Sequence, residues 1–136
     1  MIAMESIIIS ENHRRSIGAS LRIVEEHLNE MEKELTNPED GILLKMQIDI
    51  QNSSISKSLQ NIAKAKKHIK NLAEKYRLSV QSSQLSRVID SRKTSIWVTL
   101  SDSTSEKLKI YGVFPPEYSA EFDNDINELQ ELVNQI

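Results

Sequence analysis

The stretch that decides the fold is residues 48–76, which read IDIQNSSISKSLQNIAKAKKHIKNLAEKY. Apolar or aromatic side chains recur there every seven residues, at Ile48, Ile55, Ile62, Ile69 and Tyr76. This period places them along one narrow face of an α-helix, as in the seam of a coiled coil or a helical bundle. Three residues between them widen the face: Leu59, Ala65 and Leu72. The pattern predicts a long helix whose other faces lie in water.

Two other segments have the same kind of spacing. The first predicted helix has an apolar stripe that consists of Ile17, Leu21, Val24, Leu28, Met31 and Leu35. The stripe of the last predicted helix consists of Phe122, Ile126, Leu129, Val133 and Ile136. Both stripes alternate steps of three and four residues, which is typical of an amphipathic helix that packs on a neighbour.

The few glycines and prolines predict where the helices begin. Asn37 suits an N-cap and Pro38 the first position of the second helix. Gly112 suits the turn after the third helix, Pro115 prevents its continuation, and Pro116 opens the fourth. The second helix, counted from Pro38, would be longer than its neighbours, so it either projects or breaks near 52–54, where Asn and two Ser adjoin.

The third helix has the weakest pattern. Its stripe from Leu85 to Ile110 contains polar residues, and its start lies in the serine-rich stretch 79–86. Residues 94–100 are rich in β-branched side chains and could pair with 107–114 as a hairpin. The turn residues from Gly112 to Pro116 make more sense after a helix, so we expect a helix that reaches Tyr111.

These segments together predict an all-α protein. We expect one domain over residues 1–136, an antiparallel up-down-up-down four-helix bundle with long helices 1–3 and a shorter C-terminal helix. A chain of 136 residues can bury about two-thirds of its surface, so it needs no disulfide or metal for stability.

Several kinds of chemistry have no sequence support. The chain has no cysteine, which excludes thiol catalysis and thiolate metal sites. It has no Glu-x-x-His pair and no glycine-rich phosphate loop. Arg22 and His27 have the spacing found in small helical ribonucleases, but five residues along a helix place them about 140° apart. We therefore expect no enzyme activity, no metal and no cofactor.

The chain contains no apolar run long enough for a signal peptide or a membrane span. We therefore expect a cytoplasmic protein with no membrane partner.

Charge is distributed unevenly along the chain, although the net charge is only −3. Residues 22–44 carry net −5, residues 45–77 net +6 and residues 112–136 net −6. In an antiparallel bundle the basic side chains would gather at one end, which we call the basic pole. Its members are Arg14, Arg15, Lys64, Lys66, Lys67, Lys70, Lys75 and Arg77.

A second candidate site is polar. Asn52, Arg92, Thr99 and Ser103 would line a pocket between the second and third helices if the stripe of the third helix is phased as written. Arg92 would then anchor a small anion. Four aromatic residues, Tyr111, Phe114, Tyr118 and Phe122, cluster near the last turn, where they either fix the fourth helix or form an exposed patch.

These observations favour a non-enzymatic helical interaction module that binds a protein partner or itself, for example as a homodimer. The alternative is a bundle that binds a small anion or other small ligand in the polar pocket. Nucleic acid is not favoured, because only Tyr76 lies near the basic pole to stack on bases.

Overall fold

The computed structural model describes residues 7–136, and every regular element within that range is helical. The α-helices are α1 (Glu11–Thr36), α2 (Asn52–Lys75), α3 (Leu85–Ser101) and α4 (Pro116–Asn134). A short 3₁₀ helix spans Lys107–Tyr111. The all-α prediction is confirmed for this part of the chain. Residues 1–6 of the predicted 1–136 domain lie outside the described residues.

Helix α1 begins where its sequence provides a cap. The Ser10 hydroxyl accepts a hydrogen bond from the His13 backbone N–H at 3.2 Å, which satisfies one of the unpaired donors of the first turn. Leu28 is the buried member of the predicted stripe, whereas Ile17 and Leu21 are half-buried. Val24 and Met31 remain exposed. The stripe therefore lies on the packed face, but only part of it is covered.

The predicted start of the second helix at Pro38 is wrong. Asn37 instead ends α1, where its backbone N–H donates to the Lys33 carbonyl at 2.8 Å. Residues 38–51 form no helix, and α2 starts at Asn52, within the stretch where the sequence predicted a break. The Asp40 carboxylate accepts from the Met46 N–H at 2.9 Å, which folds the chain back before a helix can begin.

The seven-residue pattern is confirmed within α2. Ile62 is buried, and the other members of the stripe from residue 55 to 76 are half-buried: Ile55, Leu59, Ala65, Ile69, Leu72 and Tyr76. Ile48, which precedes the helix, is exposed. The pattern therefore predicted the inner face of α2 but overextended it toward the N-terminus.

Helix α3 is shorter than predicted, because it ends at Ser101 rather than near Tyr111. Two turns and the 3₁₀ helix fill the interval. The hairpin alternative for residues 94–114 is also wrong, since residues 94–101 are helical and no strand occurs between residues 7 and 136. No side chain of α3 is buried.

The predicted start of α4 at Pro116 is confirmed, but Gly112 follows the 3₁₀ helix rather than α3. Gly112 has φ +129°, a value that side chains disfavour, and its N–H donates to the Lys109 carbonyl at 3.1 Å. Pro116 is the first residue of α4, where its missing N–H leaves no backbone hydrogen bond unmade.

The described helices form two units, residues 7–80 with α1 packed on α2, and residues 81–136 with α3 packed on α4. The buried apolar side chains are Leu28 and Ile62 in the first unit and Val133 in the second. The chain exposes 11740 Å². Two separate compact units of these sizes would expose about 8,700 Å² in total, so the chain is less compact than its size allows.

Candidate interaction surfaces

The basic pole includes three lysines on one exposed side of α2, Lys64, Lys67 and Lys70. Their spacing of three residues keeps neighbouring ammonium groups close together on the helix. Lys66 lies nearer the packed face and forms an ion pair with Glu32 of α1, with Nζ to Oε2 at 3.3 Å. This contact joins the basic pole to the acidic end of α1, so charge separation within residues 7–80 is incomplete.

The remaining members of the basic pole have local contacts. The Lys75 ammonium lies 5.4 Å from the centre of the Tyr76 ring, within cation–π range. In α1, Arg14 and Arg15 both lie close to the Glu11 carboxylate, at 3.6 and 3.8 Å. Arg77 follows α2 with φ +53°, a strained value for a residue with a side chain.

The predicted polar pocket is divided between the two units. Asn52 is the first residue of α2, whereas Arg92, Thr99 and Ser103 lie in residues 81–136. The Thr99 hydroxyl donates to the Ser95 carbonyl at 3.0 Å, and the Ser103 hydroxyl donates to the Thr99 carbonyl at 3.0 Å. Both hydroxyl hydrogens are therefore used by the backbone of their own segment.

Arg92 lines a shallow groove of about 720 Å³ along α3. A second guanidinium, that of Arg87, lines the same groove, together with the side chains of Ser83, Ser91 and Ser95. The predicted polar pocket includes Arg92 but not Arg87. Arg87 does not lie on the face of the predicted helix that Arg92, Thr99 and Ser103 share. The Ser95 hydroxyl donates to the Ser91 carbonyl at 3.2 Å, so the two guanidinium groups are the main candidate ligands for an anion.

The four residues of the aromatic cluster differ in how much of each side chain is exposed. The rings of Phe114 and Phe122 are 5.1 Å apart at an angle of 45°, a favourable tilted contact between the turn and α4. Tyr111 and Tyr118 are exposed. Phe114 and Phe122 therefore help to fix α4, whereas an exposed aromatic patch at Tyr111 and Tyr118 stays a prediction.

The ends of α3 and α4 are connected by specific polar contacts. The Trp97 indole N–H donates to the Asn134 amide oxygen at 2.6 Å. The Lys93 ammonium donates to the backbone carbonyls of Asn134 and Ile136, at 3.3 and 3.1 Å. A cation at the C-terminus of α4 is favoured by the negative end of the helix dipole.

The segment between α1 and α2 is a candidate surface that the sequence analysis missed. Its large apolar side chains are exposed: Ile42, Leu43, Leu44, Met46, Ile48 and Ile50. Residues 44–50 read LKMQIDI, a strict alternation of apolar and polar side chains that is typical of a β-strand. The signal was present in the sequence, but Ile48 also fitted the seven-residue period and was assigned to the helix.

Part of this segment lies beside the helices of its own unit. Met46, Ile48 and Ile50 line a groove of about 480 Å³ together with α1 and α2 residues that include Met31, Leu35 and Ile55. Gln47 and Asp49 line the same groove, so the apolar and polar sides of the alternation are not separated there.

No group of three or more His, Asp or Glu side chains in residues 7–136 could hold a metal ion. Within the same residues, no helix has the length and hydropathy that a membrane crossing requires. Comparison of the chain with protein-family models, with curated proteins and with solved structures gives no match.

Proposed function

We propose that this chain is a non-enzymatic helical interaction module that associates with another polypeptide, a second copy of itself in the first instance. The observation that carries the proposal is the incomplete cover of both helix pairs. Each pair buries one or two apolar side chains, while large apolar residues such as Ile23, Val98 and Leu132 remain exposed. Large apolar side chains that cluster on a protein surface are typical of binding faces.

Association with another chain would bury part of this exposed apolar surface. Burial of apolar surface contributes about 25 cal/mol per Å². The described chain exposes roughly 3,000 Å² more than two separate compact units would, on the surface-scaling estimate. Even a fraction of this area matches the roughly 800 Å² that each partner buries in a standard protein interface.

The basic pole would orient the two chains as they associate, whereas burial of apolar surface would supply most of the binding affinity. Lys64, Lys67 and Lys70 form an exposed basic side on α2, and residues 112–136 carry six acidic side chains and no basic one. Complementary charges of this kind steer association, and salt weakens the attraction between them.

Light scattering over a range of protein and salt concentrations tests the proposal. We expect a mass above the 15.5 kDa of one chain that rises with protein concentration. The triple variant Lys64→Glu, Lys67→Glu and Lys70→Glu should weaken association at low salt. Lys66 is left unchanged because its ion pair with Glu32 would confuse the result.

A matched variant controls for net charge. Arg22→Glu, Lys57→Glu and Lys107→Glu change the charge by the same amount at exposed positions outside the basic pole, and should weaken association less. A mass of 15.5 kDa under all conditions would overturn self-association.

The finer fold assignment stays a proposal. The up-down-up-down order of four helices is supported, for α3 and α4, by contacts that join Trp97 to Asn134 and Ser105 to Asp123. The single domain, the coiled-coil packing and the cytoplasmic location stay predictions from the sequence.

The second candidate function is anion binding in the groove of α3. It is favoured by Arg87, which lines the same groove as Arg92. Titration with inorganic phosphate, followed by NMR, should shift the amide signals of Ser91 and Ser95. Arg92→Gln should abolish these shifts, whereas Arg22→Gln should not. Equal shifts throughout the chain would exclude a site.

A further inference from the structure

We propose that residues 44–50 pair, as an antiparallel β-ribbon, with the same residues of a second copy of this chain. The proposal rests on the self-association proposed above and specifies the surface that forms it. The pairing is centred on Gln47, so that Lys45 of one copy lies opposite Asp49 of the other.

The sequence of the segment is complementary to itself in this register. Lys45 and Asp49 flank Gln47 at equal distances, so an antiparallel pair contains two opposite-charge contacts and one contact between glutamines. The apolar positions match as well, since Met46 lies opposite Ile48 and Leu44 opposite Ile50. Opposite-charge and apolar cross-strand pairs each stabilise a ribbon.

The backbone hydrogen bonds leave the required edge available. In a strand, alternate residues direct their N–H and C=O groups to opposite edges. On the even-numbered edge, the Leu44 carbonyl accepts from Gly41 at 2.7 Å and the Met46 N–H donates to Asp40. No hydrogen bond between residues 7 and 136 engages the N–H of Lys45, Gln47 or Asp49. The proposed register uses this odd-numbered edge.

The apolar side of the ribbon would have cover. An isolated two-stranded ribbon is only marginally stable in water, whereas a ribbon that packs on helices is stabilised. Met46, Ile48 and Ile50 already line a groove beside α1 and α2 in their own unit, together with Gln47 and Asp49. In the proposed dimer, each chain therefore contributes one strand of the ribbon and the helix pair α1 and α2 on which that strand packs.

A second copy is preferred over an unrelated strand because of the charge pattern. A foreign strand would need its own acidic and basic residues at the matching positions, whereas a second copy supplies both by symmetry. Addition of this segment to a sheet of another protein is the alternative outcome, and it would leave the isolated chain without any pairing at residue 47.

Cross-linking tests the register directly, because the chain has no cysteine. Paired residues on the hydrogen-bonded edge lie about 5.5 Å apart at their Cα atoms, within the range that a disulfide spans. Gln47→Cys should form disulfide-linked dimers rapidly under mild oxidation. Lys45→Cys alone should not, since its counterpart lies about 13 Å away along the strand. A mixture of Lys45→Cys and Asp49→Cys should cross-link again.

Charge exchange supplies an independent test. Lys45→Asp or Asp49→Lys creates two like-charge contacts in each dimer and should raise the dissociation constant about tenfold. The double variant Lys45→Asp and Asp49→Lys restores opposite charges and should return the constant to within about twofold of the original. Equal constants for all four proteins would overturn the register.

The outcomes separate this inference from the proposed function. If the unmodified chain is a monomer under all conditions, self-association and the ribbon both fail. If the chain associates but Gln47→Cys cross-links no faster than the control Val80→Cys, at another exposed position, then only the ribbon fails.

Discussion

Asp123 of α4 accepts two hydrogen bonds from Ser105, one from the backbone N–H at 2.8 Å and one from the hydroxyl at 2.7 Å. Ser105 is the buried polar side chain of the described residues, with 8% of its surface exposed. The two residues are 18 positions apart, so the pair fixes the turn after α3 against the first half of α4.

The first prediction concerns the pH dependence of this pair. The backbone N–H and the hydroxyl of Ser105 both stabilise the carboxylate, which lowers the pKa of Asp123 below its ordinary value of 3.8. The folded state therefore binds a proton less readily than the unfolded chain. The stabilisation is present above pH 4 and is lost as the pH falls through the lowered pKa.

Thermal unfolding, followed by circular dichroism at pH 7 and pH 2, measures this effect. Ser105→Ala should lower the midpoint at pH 7 by roughly 5 °C and have a smaller effect at pH 2. Ser95→Ala, whose hydroxyl bonds only within α3, provides the control and should change little at either pH. An equal effect of Ser105→Ala at both values would show that the charge of Asp123 is irrelevant.

The second prediction concerns the small core of residues 7–80. Leu28→Ala and Ile62→Ala each remove a buried aliphatic side chain, and should each lower the free energy of unfolding by about 2 kcal/mol. Val24→Ala lies on the same helix as Leu28 but is exposed, and should cost under about 0.5 kcal/mol. Urea denaturation gives all three values, and equal losses for Val24 and Leu28 would contradict the assigned core.

These two features also show what the sequence could and could not predict. The position of Ile62 follows from a seven-residue pattern that the helix itself obeys. The end of α3 does not, because residues 101–105 are all weak helix formers. The carboxylate that holds Ser105 lies 18 residues further along the chain. Local sequence patterns cannot predict a contact between residues so far apart in the chain.

The predicted start of α2 is wrong for a different reason. Ile48 satisfies both a helical period and a strand alternation, and the helical interpretation was favoured by Asn37 and Pro38. In the structure, Asn37 terminates α1 and the Asp40 carboxylate bonds to Met46. The basic pole stays a prediction, and within it Lys66 forms an ion pair with Glu32.

The third prediction concerns this ion pair. The side chains of Lys66 and Glu32 retain 31% and 46% of their exposure, so water screens much of their attraction. A double-mutant cycle with Lys66→Met and Glu32→Gln should give a coupling of about 0.5 kcal/mol at low salt. In 1 M NaCl the coupling should approach zero, because the Debye length is then about 3 Å. A coupling unaffected by salt would indicate a buried pair instead.

The fourth prediction concerns Trp97, whose side chain is an internal probe of residues 81–136. The indole is 38% exposed, and its N–H is bonded to Asn134 near the end of α4. Acrylamide should therefore quench its fluorescence partially, between the values for a free and a buried indole. Asn134→Ala removes the acceptor that holds the ring against α4, so it should increase quenching and shift the emission to longer wavelength. Gln135→Ala, one position along and outside this bond, is the matched control. If both variants leave the quenching unchanged, the contact between Trp97 and Asn134 does not hold α3 to α4 in solution.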